Sequence, residues 1–176
     1  MSRVSSGGTG RTALTAVLAA LSLALLYLAA AAPSGRLGLT ALAGLVPAAA
    51  VVSCGGPRSG LLCCAAAGVL GLLLSPNKSC AVLYLLFFGP YSVVKSLAER
   101  LRSRWAGLFC KLGFFNLALT VLWFGLRGLI APMLPGALDR SWLVYLAGNL
   151  VFVLYDAGFS QVIAFYIARI DRNLRK

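Results

Sequence analysis

Lys95, Lys111 and Asp156 lie inside otherwise apolar stretches of this 176-residue chain. A charged side chain near the centre of a bilayer costs about 2.5–3.5 kcal/mol on insertion scales. Asp156 falls near the middle of the last apolar stretch, so it should face a bundle interior with a partner. The long stems of Lys95 and Lys111 can reach it, and Asn116 offers a polar group at similar depth. Two roles stay open for Asp156: a structural pair that holds helices together, or direct handling of a ligand or ion.

A second set of residues suits recognition. At helical spacing, Asn116, Thr120, Trp123 and Arg127 share one face, as do Tyr145, Asn149, Asp156 and Ser160, and as do Tyr84, Phe88, Tyr91 and Lys95. Trp123, Arg127, Tyr145 and Asn149 fall at one depth, with Tyr84 nearby. A guanidinium fork in a partly dry pocket favours a planar anion such as a carboxylate, and aromatic faces grip a ring or apolar portion. Tyr84, Trp123, Arg127, Tyr145 and Asn149 are therefore the candidate ligand-binding residues. The ligand they imply is a small anionic or zwitterionic organic molecule taken from outside. Arg127 as an interfacial anchor, and Trp123 and Tyr145 as an aromatic belt, are the competing readings.

Other chemistry finds little support. The chain has no His, which excludes His-based acid–base catalysis and most catalytic zinc sites. Its five Cys read as small buried hydrophobes, without a CxxC pair. No metal or cofactor is expected, and no nucleophile–base pair points to an enzyme. No GxxxxGK[ST] occurs, so nucleotide energy would have to come from partners. A net charge of +12 could suggest nucleic acid, but no basic stripe interleaved with aromatics exists.

Composition sets the elements that carry these residues. The chain is 60% hydrophobic and 11% charged, with mean hydropathy +0.90. Soluble domains carry about 25% charged residues. The class is therefore integral membrane, and backbone satisfaction in lipid makes an all-α bundle the expected fold. Six spans are expected, at about residues 12–32, 37–53, 60–74, 79–98, 105–131 and 141–169. Residues 1–11 read as a disordered tail and 172–176 as a basic tail. The first apolar run is longer than a usual signal-peptide core, so it reads as a retained helix. With six helices and both termini in the cytoplasm, twelve Lys and Arg fall inside, including Arg100, Arg102 and Arg104. Four fall outside: Arg36, Lys78, Arg127 and Arg140. The positive-inside rule favours that arrangement.

The halves differ. Helices 1–3 are mostly Ala, Leu, Gly and Val, whereas helices 4–6 carry the polar residues. Helix 1 holds a stripe of Thr12, Ala16, Ala20 and Ala24, which lets another helix approach closely. That helix lies either within the same bundle or on a partner protein.

Six short-looped helices with both termini inside resemble the S component, the substrate-binding membrane subunit, of bacterial energy-coupling factor transporters. The opening of helix 1, RTALTAVLAAL, is similar to that family's first helix, whose AxxxA element meets the coupling subunit. Ala16 and Ala20 are the matching pair. The resemblance implies a vitamin-like ligand held by helices 4–6 and outer loops. It implies a partner transmembrane subunit with ATPases and a multi-pass place in the bacterial cytoplasmic membrane. A membrane scaffold or assembly protein with no transported ligand is the alternative. A pocket in the outer layer would favour the first reading, and a solidly packed interior the second.

Overall fold

The computed structural model describes residues 8–54, 56–101, 103–130 and 141–171. Among these, all regular structure is helical. The helices are α1 (Gly8–Ala31), α2 (Arg36–Ser53), α3 (Pro57–Leu74), α4 (Lys78–Ala98), α5 (Arg104–Thr120), the short α6 (Arg127–Ile130) and α7 (Ser141–Tyr166). A π-helical turn, Val121–Gly125, extends α5, and another, Ile167–Asp171, extends α7. Six of these helices, α1–α5 and α7, are long and apolar enough to cross a membrane.

Local chemistry sets the ends. Gly35 sits in the left-handed region at φ 74° ahead of α2, a conformation that glycine adopts without a Cβ clash. Pro57 occupies the first turn of α3, where its missing N–H costs no helical bond. This starts α3 three residues ahead of the sequence expectation. Lys78 Nζ donates to the carbonyls of Leu72 at 2.5 Å and Leu73 at 3.4 Å, closing the end of α3. Asn77 Oδ1 accepts from the Ser79 amide at 3.0 Å and caps α4.

Helix directions alternate. Ala19 packs with Ala50 and Cys63, and Ala29 and Ala30 pack with Cys80. Leu83 packs with Leu122. Near Gly60 lie Val51 and Val93, and Ser53 Oγ meets Tyr166 Oη at 2.9 Å. The start of α3 and the ends of α2, α4 and α7 thus gather at one end of the bundle. Both described chain ends, Gly8 and Asp171, belong to that end, as does the connection from α4 to α5.

Inside α4 the helix widens. Pro90 has no N–H and cannot complete an ordinary α-helical turn. The amide of Gly89 reaches back five residues to Tyr84 O, and Tyr84–Phe88 forms a π-helical turn. The wider turn rotates the first part of α4 relative to the second. Tyr84 is 0% exposed and pairs its hydroxyl with Ser22 Oγ of α1 at 2.9 Å. Tyr91 and Lys95, in the second part, face α7. The single face expected for Tyr84, Phe88, Tyr91 and Lys95 is therefore split between two sides of the bundle.

The larger core joins α2, α4, α5 and α7. It is aromatic: Phe87, Tyr91, Phe115, Phe152 and Phe159 are buried together, with Phe88, Phe114 and Tyr155 packed against them. Phe115 and Phe152 stack with centroids 4.6 Å apart, and Tyr91 meets Phe159 edge-on at 5.6 Å. Such pairs contribute about 0.5–1.5 kcal/mol each beyond area burial.

Candidate functional site

Lys95 of α4, Glu99 just beyond it, Lys111 of α5 and Asp156 of α7 converge beside this aromatic core. Asp156 accepts from three side chains. Tyr91 Oη donates to its Oδ1 at 2.6 Å, Lys111 Nζ donates to its Oδ2 at 2.8 Å, and Lys95 Nζ forms an ion pair with Oδ1. Lys95 is 1% exposed. It also donates to Ser160 Oγ at 2.7 Å and pairs with Glu99 at 3.1 Å, one turn along its own helix. Its ammonium lies 5.5 Å from the Phe159 ring centroid. Two lysines thus face two carboxylates, so the group is electrically balanced. It sits within three helical turns of the α4–α5 connection, because Lys95 lies in the last turn of α4 and Lys111 seven residues into α5.

From this cluster a line of polar contacts runs along α5 and α7. Asn116 and Asn149 exchange side-chain amides, at 3.0 Å one way and 3.1 Å the other. Each also donates one turn back, Asn116 to Leu112 O at 2.9 Å and Asn149 to Tyr145 O at 2.8 Å. Thr120 Oγ1 meets Tyr145 Oη at 2.7 Å, and Trp123 Nε1 donates to Ser141 Oγ at 3.1 Å. With Lys111 and Asp156, this makes four rungs across an antiparallel helix pair. In an apolar medium, where water cannot compete, such interhelical hydrogen bonds fix register.

The five candidate ligand residues do not share one site. Trp123, Tyr145 and Asn149 lie on the α5–α7 seam, bonded to one another's helices. Arg127 is exposed at the start of α6, with its guanidinium 4.7 Å from the Trp123 ring centroid. Tyr84 sits apart from them, in the core shared with Leu26, Ala43, Cys64 and Ala67. Of the second set, Asp156, Lys95 and Lys111 come together, and Asn116 joins the seam one rung away. Sequence reasoning missed Tyr91 as a partner of Asp156, and it missed the Asn116–Asn149 exchange. A signal existed for the latter: each seam pair is roughly equidistant from position 132, as antiparallel neighbours must be.

Among the described residues, cavities open at two places that bear on these candidates. One of about 320 Å³ lies between the end of α4 and the beginning of α5, lined by Ala98, Glu99, Leu101, Ser103, Gly107, Leu108 and Lys111. Another of about 50 Å³ lies between α2 and α7, lined by residues including Leu45, Val162 and Tyr166. Neither is lined by Tyr84, Trp123, Arg127, Tyr145 or Asn149. Among the described residues no group of three His, Cys, Asp or Glu is placed to hold a metal.

The docking candidates lie on the outside. Thr12, Ala16, Ala20 and Ala24 are all exposed, whereas α1 buries Thr15, Ala19, Ser22, Leu26, Ala29 and Ala30 on its other side. No protein-family model, curated protein or solved structure matches this chain.

Proposed function

We propose that this chain is a non-enzymatic assembly subunit of a bacterial cytoplasmic membrane complex, docked to a helix of a partner membrane protein through the outward face of α1. The observation that carries this reading is the exposed stripe of Thr12, Ala16, Ala20 and Ala24. Its setting sharpens it. The outward face of α7 carries large apolar side chains, Trp142, Leu146, Leu150, Leu154 and Phe165, which suit lipid tails. The α1 stripe is small, and exposed Val17, Leu21 and Leu28 form a ridge along one side of it. Small residues gain little against lipid but allow close contact between helix backbones. The bias of twelve basic residues against four supports an orientation with both termini in the cytoplasm.

A second reading makes the same docked chain the substrate-capture subunit of an uptake transporter, energised by partner ATPases. What favours it is the charged cluster of Lys95, Lys111 and Asp156, since ionisable groups within a membrane often mark substrate or ion paths. The assembly reading has more support, because Trp123, Tyr145 and Asn149 direct their polar groups into the α5–α7 seam.

The test is Ala16→Leu with Ala20→Leu. Both positions are exposed, so larger side chains there can point away from the bundle. Complex recovery on native purification should fall to background while yield and melting temperature hold. Recovery of the same complex at wild-type level would refute the docking face.

A further inference from the structure

The outward side of α7 changes character along its length. Its first half carries Trp142, Leu146, Leu150 and Leu154, all exposed. Further along, the same side carries Ala157, Gln161 and Ala164, also exposed. Leu154 and Phe165 border this smaller patch. Of the six spanning helices, α7 is the least covered: 11% of its apolar stretch is buried, against 28–56% in the others.

Gln161 is anomalous on that surface. The spanning stretch from Ser141 to Arg169 has 29 residues, where a bilayer core needs about 20. At 1.5 Å per residue, Gln161 stands about 12 Å from the Arg169 end, inside the hydrocarbon. Exposure at that depth is exposure to lipid tails. A primary amide has two donors and an acceptor oxygen, and hydrocarbon satisfies none of them. Among the described residues, no group bonds to the Gln161 side chain. Asn116 and Asn149 show what such an amide requires, since each satisfies the other across the α5–α7 seam.

We propose that α7 pairs with α7 of a second copy of this chain, crossing at Gln161. Copies of one chain insert with the same orientation, so a two-fold axis along the membrane normal brings a residue near it against its own counterpart at equal depth. A glutamine amide complements its own copy, donor to acceptor in both directions. An unrelated partner would need a matching polar group of its own at this depth, whereas a second copy supplies one by symmetry. Ala157 and Ala164 let the two backbones approach closely at the crossing. Leu146 and Leu150 keep the outer halves of the two helices apart, in lipid. Within the bundle α1 packs chiefly on α2 and α3, and α7 on α5 and α2. The pairing therefore leaves the α1 stripe free and does not depend on what α1 docks against.

The test uses the purified full chain, labelled at its N-terminus with donor or acceptor fluorophores in separate batches and mixed in phosphatidylcholine liposomes. Wild type should show energy transfer that saturates as the protein-to-lipid ratio rises, above the level of random proximity. Gln161→Leu should weaken dimerisation about three- to twentyfold, the span of interhelical hydrogen bonds in membranes. Gln161→Asn keeps a self-complementary amide and should keep most of the pairing. Ala157→Leu with Ala164→Leu should abolish it by widening the crossing. These positions are exposed, so folding holds, and an unchanged melting temperature checks that it does. With Cys110→Ser as background, Ala164→Cys should cross-link to its own copy on oxidation and Leu146→Cys should not. Ala16→Leu with Ala20→Leu should leave the dimer intact, so this pairing and the α1 docking fail separately. Random-level transfer in wild type, wild-type pairing in Gln161→Leu, or equal cross-linking at the two cysteines overturns the proposal.

Discussion

Asp156→Asn should destabilise the chain by about 3–5 kcal/mol, the usual cost of leaving a buried charge without its partner. Two lysines lean on this carboxylate. Removing its charge leaves Lys95, at 1% exposure, with the partly exposed Glu99 as its nearest carboxylate. The ammonium groups of Lys95 and Lys111 then face each other with no carboxylate between them. Asymmetry is part of the prediction. Lys111→Met should cost less, because Asp156 keeps Lys95 and Tyr91. Combining Asp156→Asn with Lys95→Met should recover part of the loss, since the most buried ammonium goes with its carboxylate and only Lys111, 13% exposed, is left without its acid. Thermal melting in nanodiscs is the measurement. An Asp156→Asn curve that overlays wild type would mean that the three charges do not depend on one another.

Gly44→Leu should be nearly as damaging, for a steric reason. A Cβ at Gly44 would lie 2.6 Å from Phe88 Cβ and 2.7 Å from Phe88 O. Backbone cannot swing aside as a side-chain tip can, so α2 must move away from the widened turn of α4. Overpacking of this kind costs about 1–3 kcal/mol, occasionally more. Gly38, on the same helix, has nothing within 4 Å of its Cβ position. Gly38→Ala should therefore be neutral or stabilise by up to about 1 kcal/mol through helix propensity. Equal melting shifts for the two substitutions would contradict a close α2–α4 contact at Gly44.

The sequence made some of this arrangement legible. Six apolar runs imply six spanning helices because lipid offers the backbone no other partners. The meeting of Lys95 and Lys111 with Asp156 was readable for a similar reason: a charge in an apolar interior demands an opposite charge within reach. The seam was harder to read. Trp, Tyr, Asn and Thr at helical spacing describe a binding wall and an interhelical zipper equally well, and only the facing helix decides between them. Phase was harder still. The π-helical turn at Tyr84–Phe88 lies just ahead of Pro90, and the sequence marks the proline as a kink without stating how the helix winds before it. That turn sends Tyr84 to α1 and Tyr91 to α7. Similarly, Leu126 at φ −130° breaks the helix expected to run unbroken to residue 131, and Arg127 begins a new one. The direction of the α1 stripe was not readable either. Thr12, Ala16, Ala20 and Ala24 differ from the buried Thr15, Ala19 and Ser22 by position alone, not by type.

Site-specific photocrosslinking along α1 in native membranes tests the central claim most directly. A photoreactive residue is placed in turn at Ala16, Ala20 and Ala24, and at Val17, Leu21 and Leu28 on the ridge beside them. Docking through α1 predicts discrete protein adducts of one size at Ala16 and Ala20, weakening toward Ala24, with adducts at the ridge positions fewer and mixed with lipid. Lipid adducts alone at all six positions would contradict it, because the stripe would then face lipid and not a partner helix.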